Sequence, residues 1–246
     1  VGDCLPLVAN PRPLNPQLDN EQRRSLESLL RSTNGVSVFR GGAGTGKSFV
    51  LRDLVEQLRQ SGRDVVVLAP QRQQVVEMEK AGLPSPSTVA SFLIQRELVA
   101  GAVVVVDEAG QYSLANALAV SPAAASLVLL GDPQQLQQPQ KGSHPDGVDV
   151  SALQHVLGPE DEAQTMPADR GLFLPVTWRM APAVCAFTSE QFYEGKLDAR
   201  PGLERQRLAG TGSYDGAGLW WMPVAHEANR NWSAEEIDAV DALVTR

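Results

Sequence analysis

The chain has 246 residues, 43% of them hydrophobic and 5% aromatic, enough apolar material for one large domain or one and a half ordinary ones. A formal charge of −8 excludes a uniformly basic surface of the kind that grips nucleic acid everywhere, though not a local basic groove. No apolar run reaches bilayer length, no signal-peptide layout opens the chain, and Cys4 and Cys185 lack metal-ligand spacing, so the expectation is a cytoplasmic, free-thiol protein with no membrane partner.

Residues 1–18, rich in proline and asparagine, read as an extended lead-in. Asp19 to Arg31 reads as a helix, with Asp19 at the N-cap and Gln22 at capping-box spacing. The β-prone run Val36–Phe39 feeds a glycine-rich loop. A helix follows with Val50, Leu51, Leu54, Val55 and Leu58 on one face, ending near Gly62. Val65–Leu68, Ala102–Val106 and Leu127–Leu130 are short apolar runs that read as buried strands, with helices at about 71–80 and 114–119 between them. Strands alternating with helices predict an α/β fold with a mainly parallel sheet covered on both faces, and ligands beyond the strands' carboxyl ends. Further on, Gly142–Gly147 reads as a turn-rich loop, Ser151–Leu157 as a short helix stopped by Gly158, and 159–171 as an exposed connection. A new unit is expected from Leu174, with a helix at Pro182–Phe192, an aromatic strand at Leu219–Val224 and a helix capped by Ser233, with Glu236 at the box position.

Three motifs fall at strand ends. In GGAGTGKS, residues 41–48, the backbone amides around Gly42, Ala43, Gly44, Thr45 and Gly46 can curl into a nest for phosphate oxygens at a helix N-terminus. Lys47 would then reach the β- and γ-phosphates of ATP and the Ser48 hydroxyl would ligate Mg²⁺. A chance glycine-rich turn is the bland alternative; a strand before and an amphipathic helix after speak against it. Asp107 and Glu108 follow the strand Ala102–Val106: Asp107 suits the metal and Glu108 suits the base that polarises a water. An isolated acidic pair would more often be a solvated turn. Gly131-Asp132-Pro133-Gln134-Gln135-Leu136 is alone a turn signal, and gains meaning from its place after a strand.

Together these motifs resemble the superfamily 1 DNA helicases, in the RecD-like and Dna2-like branch, from about residue 14 onward. The family pattern G-D-x-x-Q-L-x-x-P reads here GDPQQLQQP, which makes Gln135 the γ-phosphate-sensing glutamine. Gln22, in LDNEQRRSL, resembles the family's adenine-reading glutamine; the capping box explains it equally well. TWRMAPAVCAFTSEQFYEGKL, residues 177–197, resembles the segment opening the second RecA-like domain. There Arg179 matches an arginine that crosses the cleft to the γ-phosphate, and Trp178 stands where a tyrosine packs on adenine. Residues 19–110 look nearer to relaxase-associated helicases, and 107–246 nearer to Dna2-type helicases joined to RecB-like nucleases.

The resemblance implies a RecA-like ATPase domain at 12–172 after a lead-in at 1–11, and part of a second RecA-like domain at 173–246. It implies ATP and Mg²⁺ as cofactors, single-stranded DNA as partner with RNA as second choice, movement 5′ to 3′, and a longer parent with a fused nuclease or relaxase. The later family motifs are not in these residues, so the chain alone is expected to bind ATP, hydrolyse it poorly and unwind nothing. Arg72, Thr88 and Ser91 are candidate phosphate contacts, and Phe92 a base platform or, more commonly, a core residue. His144, His155 and His226 form no cluster, and Trp220 and Trp221 are expected to divide between core and surface. Two other classes stay open: a P-loop NTPase that remodels RNA or protein, and a non-enzymatic accessory remnant. Intact Lys47, Ser48, Asp107, Glu108, Gln135 and Arg179 speak against decay.

Overall fold

Each central strand carries two hydrophobic faces, and these decide the architecture. In β4 (Ala102–Val106), Val103 and Val105 join one core while Val104 and Val106 join another. In β5 (Ala124–Gly131), Val128 and Leu130 go with the first, Leu127 and Leu129 with the second. Because successive side chains leave a strand on opposite faces, such runs are satisfied only between two helical layers.

A computed structural model describes residues 4–95, 101–135, 150–158, 165–166, 170–209, 214–227 and 229–245. The chain divides into two compact units, residues 1–206 and 207–246. In the first, β1 (Val36–Gly41), β2 (Val65–Ala69), β3 (Ser87–Thr88), β4, β5 and β6 (Leu172–Leu174) form a parallel sheet in the order β3-β2-β4-β5-β1-β6. Helices α1 (Asn20–Leu30), α2 (Lys47–Gln60) and α3 (Arg72–Lys80) supply the first core. Helices α4 (Val89–Gln95), α5 (Leu114–Val120) and α6 (Ala152–Leu157) supply the second. This is the mainly parallel α/β sheet expected from the strand pattern, in the RecA-like P-loop arrangement that the helicase resemblance implies.

The α1 capping box forms as expected: Gln22 N–H donates to the Asp19 carboxylate at 2.7 Å and Asp19 N–H to Gln22 Oε1 at 3.3 Å. The lead-in is irregular yet firmly held. Leu7, Val8, Leu14 and Leu18 are buried in the first core. Val8 N–H bonds Leu30 O, the Arg63 guanidinium bonds the carbonyls of Pro6 and Leu7, and Asn15 N–H bonds the Asp53 carboxylate on α2.

Past β6 lie the short pair β7 (Val176–Thr177) and β8 (Asp198–Ala199), with α7 (Pro182–Phe192) between them, begun by a proline at its first turn. In the second unit, Ser233 caps α8 (Ala234–Val244) by accepting from Glu236 N–H at 3.2 Å. The strand expected at Leu219–Val224 does not form, and Trp220 and Trp221 are both exposed, not divided between core and surface. Its aromatic β-propensity finds no neighbouring strand to pair with among the described residues. The loop expected at Gly142–Gly147, most of the connection at 159–171, and Leu136–Pro139 lie outside the described residues. Among those described, no helix is long and apolar enough to cross a membrane, and no cluster of three metal-ligating side chains occurs.

Candidate nucleotide site

β1 ends at Gly41 and α2 begins at Lys47, so the glycine-rich loop bridges the carboxyl end of a central strand and a helix N-terminus. Two glycines are required by the backbone. Gly44 sits at φ 73° and Gly46, the N-cap of α2, at φ 82°, where L side chains are strained. A Cβ at Gly44 would lie 2.3 Å from Arg179 Cβ, and one at Gly46 would lie 2.4 Å from Gln22 Nε2. The Thr45 hydroxyl donates to Gly42 O at 3.0 Å and braces the turn. The Lys47 ammonium folds back onto the loop, donating to Gly41 O at 2.7 Å and Gly42 O at 3.3 Å. Ser48 is exposed at the head of the helix.

Beyond β4, Asp107 N–H donates to Leu68 O at 2.9 Å, and the Asp107 carboxylate accepts from Glu108 N–H at 3.0 Å. Asp107 is buried, which pushes its carboxyl up to about 6; the neighbouring Glu108 charge adds to this, and Lys47 with the amide bond opposes it. Glu108 occupies left-handed backbone at φ 51°, an unusual place for a residue with a side chain, and this turns the chain sharply after Asp107. A Cβ at Gly110 would come within 2.3 Å of Asp132 O, so the loops after β4 and β5 touch backbone to backbone.

The loop after β5 is anchored by a buried charged cluster. Asp132 accepts from Arg40 Nε at 3.2 Å, from the Tyr193 hydroxyl at the end of α7, and from Gln134 N–H at 3.2 Å. The Arg40 and Asp132 side chains are both 0% exposed, and the Arg40 guanidinium lies 5.3 Å from the Tyr193 ring centre. Burial, then the Asp132 carboxylate, pushes the Tyr193 phenol up, so it stays protonated and donating. The only sequence sign of this cluster is a charged residue in the apolar strand VSVFRG.

The pair β7–β8 places a third segment against the glycine-rich loop. Thr177 is opposite Ala199, so Trp178 and Arg200 emerge side by side, and the Arg200 guanidinium lies 3.6 Å from the Trp178 ring centre. The Thr177 hydroxyl donates to Ala43 O at 2.9 Å, and Trp178 N–H donates to Gly44 O at 2.8 Å. The Trp178 indole N–H is buried and has no hydrogen-bond partner among the described residues.

A cavity of about 590 Å³ opens over this assembly, lined by residues 43–49 of the loop and helix, Glu108, Gln135, Trp178, Arg179 and Gln206. An adjoining cavity of about 280 Å³ shares Ser48, Glu108 and Gln135 with it and adds Asp107. Most of the expected site residues therefore converge, with Asp107 lining only the smaller of the two cavities. Gln22 does not line either cavity. Its amide oxygen belongs to the α1 cap and its amide nitrogen donates to Thr45 O at 3.1 Å, so it supports the loop from behind. Thr88 accepts from Ser91 N–H at 3.1 Å and caps α4, Arg72 is exposed, and Phe92 lies in the second core. Of the two readings of Phe92, the favoured one as a core residue is the one that fits, since Phe92 is only 8% exposed.

A glycine-rich loop at a helix N-terminus, a lysine at its edge and carboxylates at the end of β4 define a P-loop α/β domain of RecA-like build. The chain belongs to the AAA domain family, which it matches over residues 17–157. No curated protein matches it. Among solved structures it is similar to the PRRSV helicase, with 19% identity over 73% of this chain and 37% of that one and a TM-score of 0.45. It is also similar to an arterivirus nonstructural protein 10 helicase solved with DNA, with 16% identity over 74% of this chain and 44% of that one, TM-score 0.40. The Pif1 helicase from Candida albicans is matched with 23% identity over 50% of this chain and 34% of that one, TM-score 0.37. The chain thus spans less than half the length of each of these structures.

Proposed function

We propose that the chain is the ATP-binding core of an ATP-dependent helicase or translocase, acting on single-stranded DNA and moving 5′ to 3′. What supports this reading is one observation. Lys47, Ser48 and Glu108, named by their motifs, and Gln135 and Arg179, named by the helicase resemblance, are scattered from residue 47 to residue 179 yet line a single cavity at the glycine-rich loop. On this reading the loop amides hold the β- and γ-phosphates, and Lys47 leaves its carbonyl partners for them. Glu108 takes the proton of the attacking water, while Gln135 and Arg179 contact the γ-phosphate. Magnesium, when bound, supplies neutralisation of phosphate charge. The Ser48 hydroxyl and Asp107 carboxylate, both lining the 280 Å³ cavity, form the oxygen-only donor set that this hard cation favours.

Equilibrium binding of a fluorescent ATP analogue tests the site. Lys47→Ala is expected to weaken affinity by about tenfold or more, since it deletes a charge-assisted contact to phosphate. Unchanged affinity would remove the whole assignment. Filter binding with single-stranded DNA, RNA and no nucleic acid then tests the partner: retention of RNA alone would replace DNA by RNA.

A further inference from the structure

Thr177 is fully buried, and its hydroxyl is engaged on both sides. It donates to Ala43 O at 2.9 Å and accepts from Arg179 N–H at 3.3 Å. The next residue repeats the contact, with Trp178 N–H donating to Gly44 O at 2.8 Å. In a trans peptide the carbonyl and the amide hydrogen point in opposite directions. Fixing the carbonyls of Ala43 and Gly44 toward Thr177 and Trp178 therefore turns the amides of Gly44 and Thr45 away from that segment. Orientation of the Gly44 amide is what contributes to a nest for anions, while Thr45 N–H is turned onto Gly42 O at 3.4 Å. The approach depends on Gly44 having no side chain, because a Cβ there would strike Arg179 Cβ at 2.3 Å. The segment is in turn held from behind, where Arg200 N–H donates to Thr177 O at 3.0 Å and the Arg200 guanidinium covers a face of Trp178.

We infer that Thr177 is a positioning residue of the nucleotide site: its hydroxyl fastens the Trp178–Arg179 pair to the phosphate loop. Arg179 is thereby kept at the cavity by the compact unit that carries the phosphate loop, and its γ-phosphate contact does not wait for delivery by a separate body. The inference rests on the nucleotide-binding reading above. It makes Thr177 a determinant of discrimination between nucleoside triphosphate and diphosphate, since only the former extends to Arg179.

The test is calorimetric titration of the 246-residue chain with a non-hydrolysable ATP analogue and with ADP, both with magnesium, for the unsubstituted chain, Thr177→Val and Thr177→Ser. Thr177→Val keeps the shape and removes the hydroxyl. It is expected to weaken the triphosphate analogue about tenfold and ADP less than about threefold, the scale of one buried hydrogen bond and the geometry it fixes. Thr177→Ser, which retains the hydroxyl, is expected to restore both affinities, a rescue that loss of buried methyl packing would not produce. Circular dichroism verifies folding, and Thr177→Ala gives the same readout should the valine variant not fold. An unchanged triphosphate-to-diphosphate ratio in a folded variant overturns the assignment of Thr177 alone. Absence of nucleotide binding by the unsubstituted chain overturns the site reading as well.

Discussion

The Arg40–Asp132–Tyr193 cluster lets a single isosteric change isolate one buried charge. In Asp132→Asn the side chain keeps its shape, so no cavity opens, but the Arg40 guanidinium loses the carboxylate that faces its Nε at 3.2 Å. Both side chains are 0% exposed, so solvent screening does not dilute the effect. Breaking a buried ion pair by neutralising one partner costs about 3–5 kcal/mol, because the attraction between the two charges is lost where the dielectric is low. Tyr193→Phe is the milder companion. It keeps the ring beside Phe173, at 6.0 Å between centres, and removes only the hydroxyl that donates to Asp132. That change should cost about 1.5–3 kcal/mol, the range for a hydrogen bond to a charged group. Urea unfolding followed by circular dichroism, without nucleotide, gives both values. A loss below about 1 kcal/mol in Asp132→Asn would show that the pair does not hold the loop after β5, and would refute the reasoning.

Asp107 sets a pH dependence with a definite sign. Its carboxyl is raised from 3.8 to about 6 in the folded chain, so the fold binds that proton more tightly than the unfolded chain does. Its contribution to stability is complete below about pH 4 and is lost as pH rises through about 6, an upper limit of about 3 kcal/mol. Without metal, Asp107→Asn should therefore gain on the unsubstituted chain across that interval, and parallel stability–pH curves would contradict it. Glu108→Gly should raise thermal stability by about 1 kcal/mol by relieving left-handed backbone at φ 51°, while abolishing any ATP turnover; a less stable variant would mean that the side chain, and not the backbone, governs this turn. Leu7→Ala should destabilise by about 2–5 kcal/mol, since Leu7 is only 1% exposed in the first core. A neutral result in chemical denaturation would show that the lead-in is ornamental.

The sheet was legible because β-branched runs such as Val103–Val106 carry their own length and burial. Asp19 with Gln22 and Ser233 with Glu236 marked helix starts through local hydrogen bonding that needs no tertiary context. The phosphate loop was legible for a similar reason, since its glycines and Lys47 act within a few residues of one another. What escaped were contacts between segments distant in the chain. Arg40 and Tyr193 acquire meaning only when Asp132 comes between them, and Thr177 only when it meets Ala43. Gln22 was readable two ways, and its amide nitrogen turns to Thr45 O. The run Leu219–Val224 misled because strand propensity is realised only beside another strand.

The register of β7 on β8 also bears on how this sequence can drift. Thr177 pairs with Ala199, and the next residue on each strand brings Trp178 and Arg200 face to ring. Losing or gaining one residue between them would rotate the end of α7 or slip the pairing, and a slip of one residue sends each strand side chain to the opposite face. Homologous chains that keep the tryptophan–arginine stack should therefore preserve the spacing between residues 178 and 200 to the residue. Length changes should gather after Gln206, where the first compact unit ends.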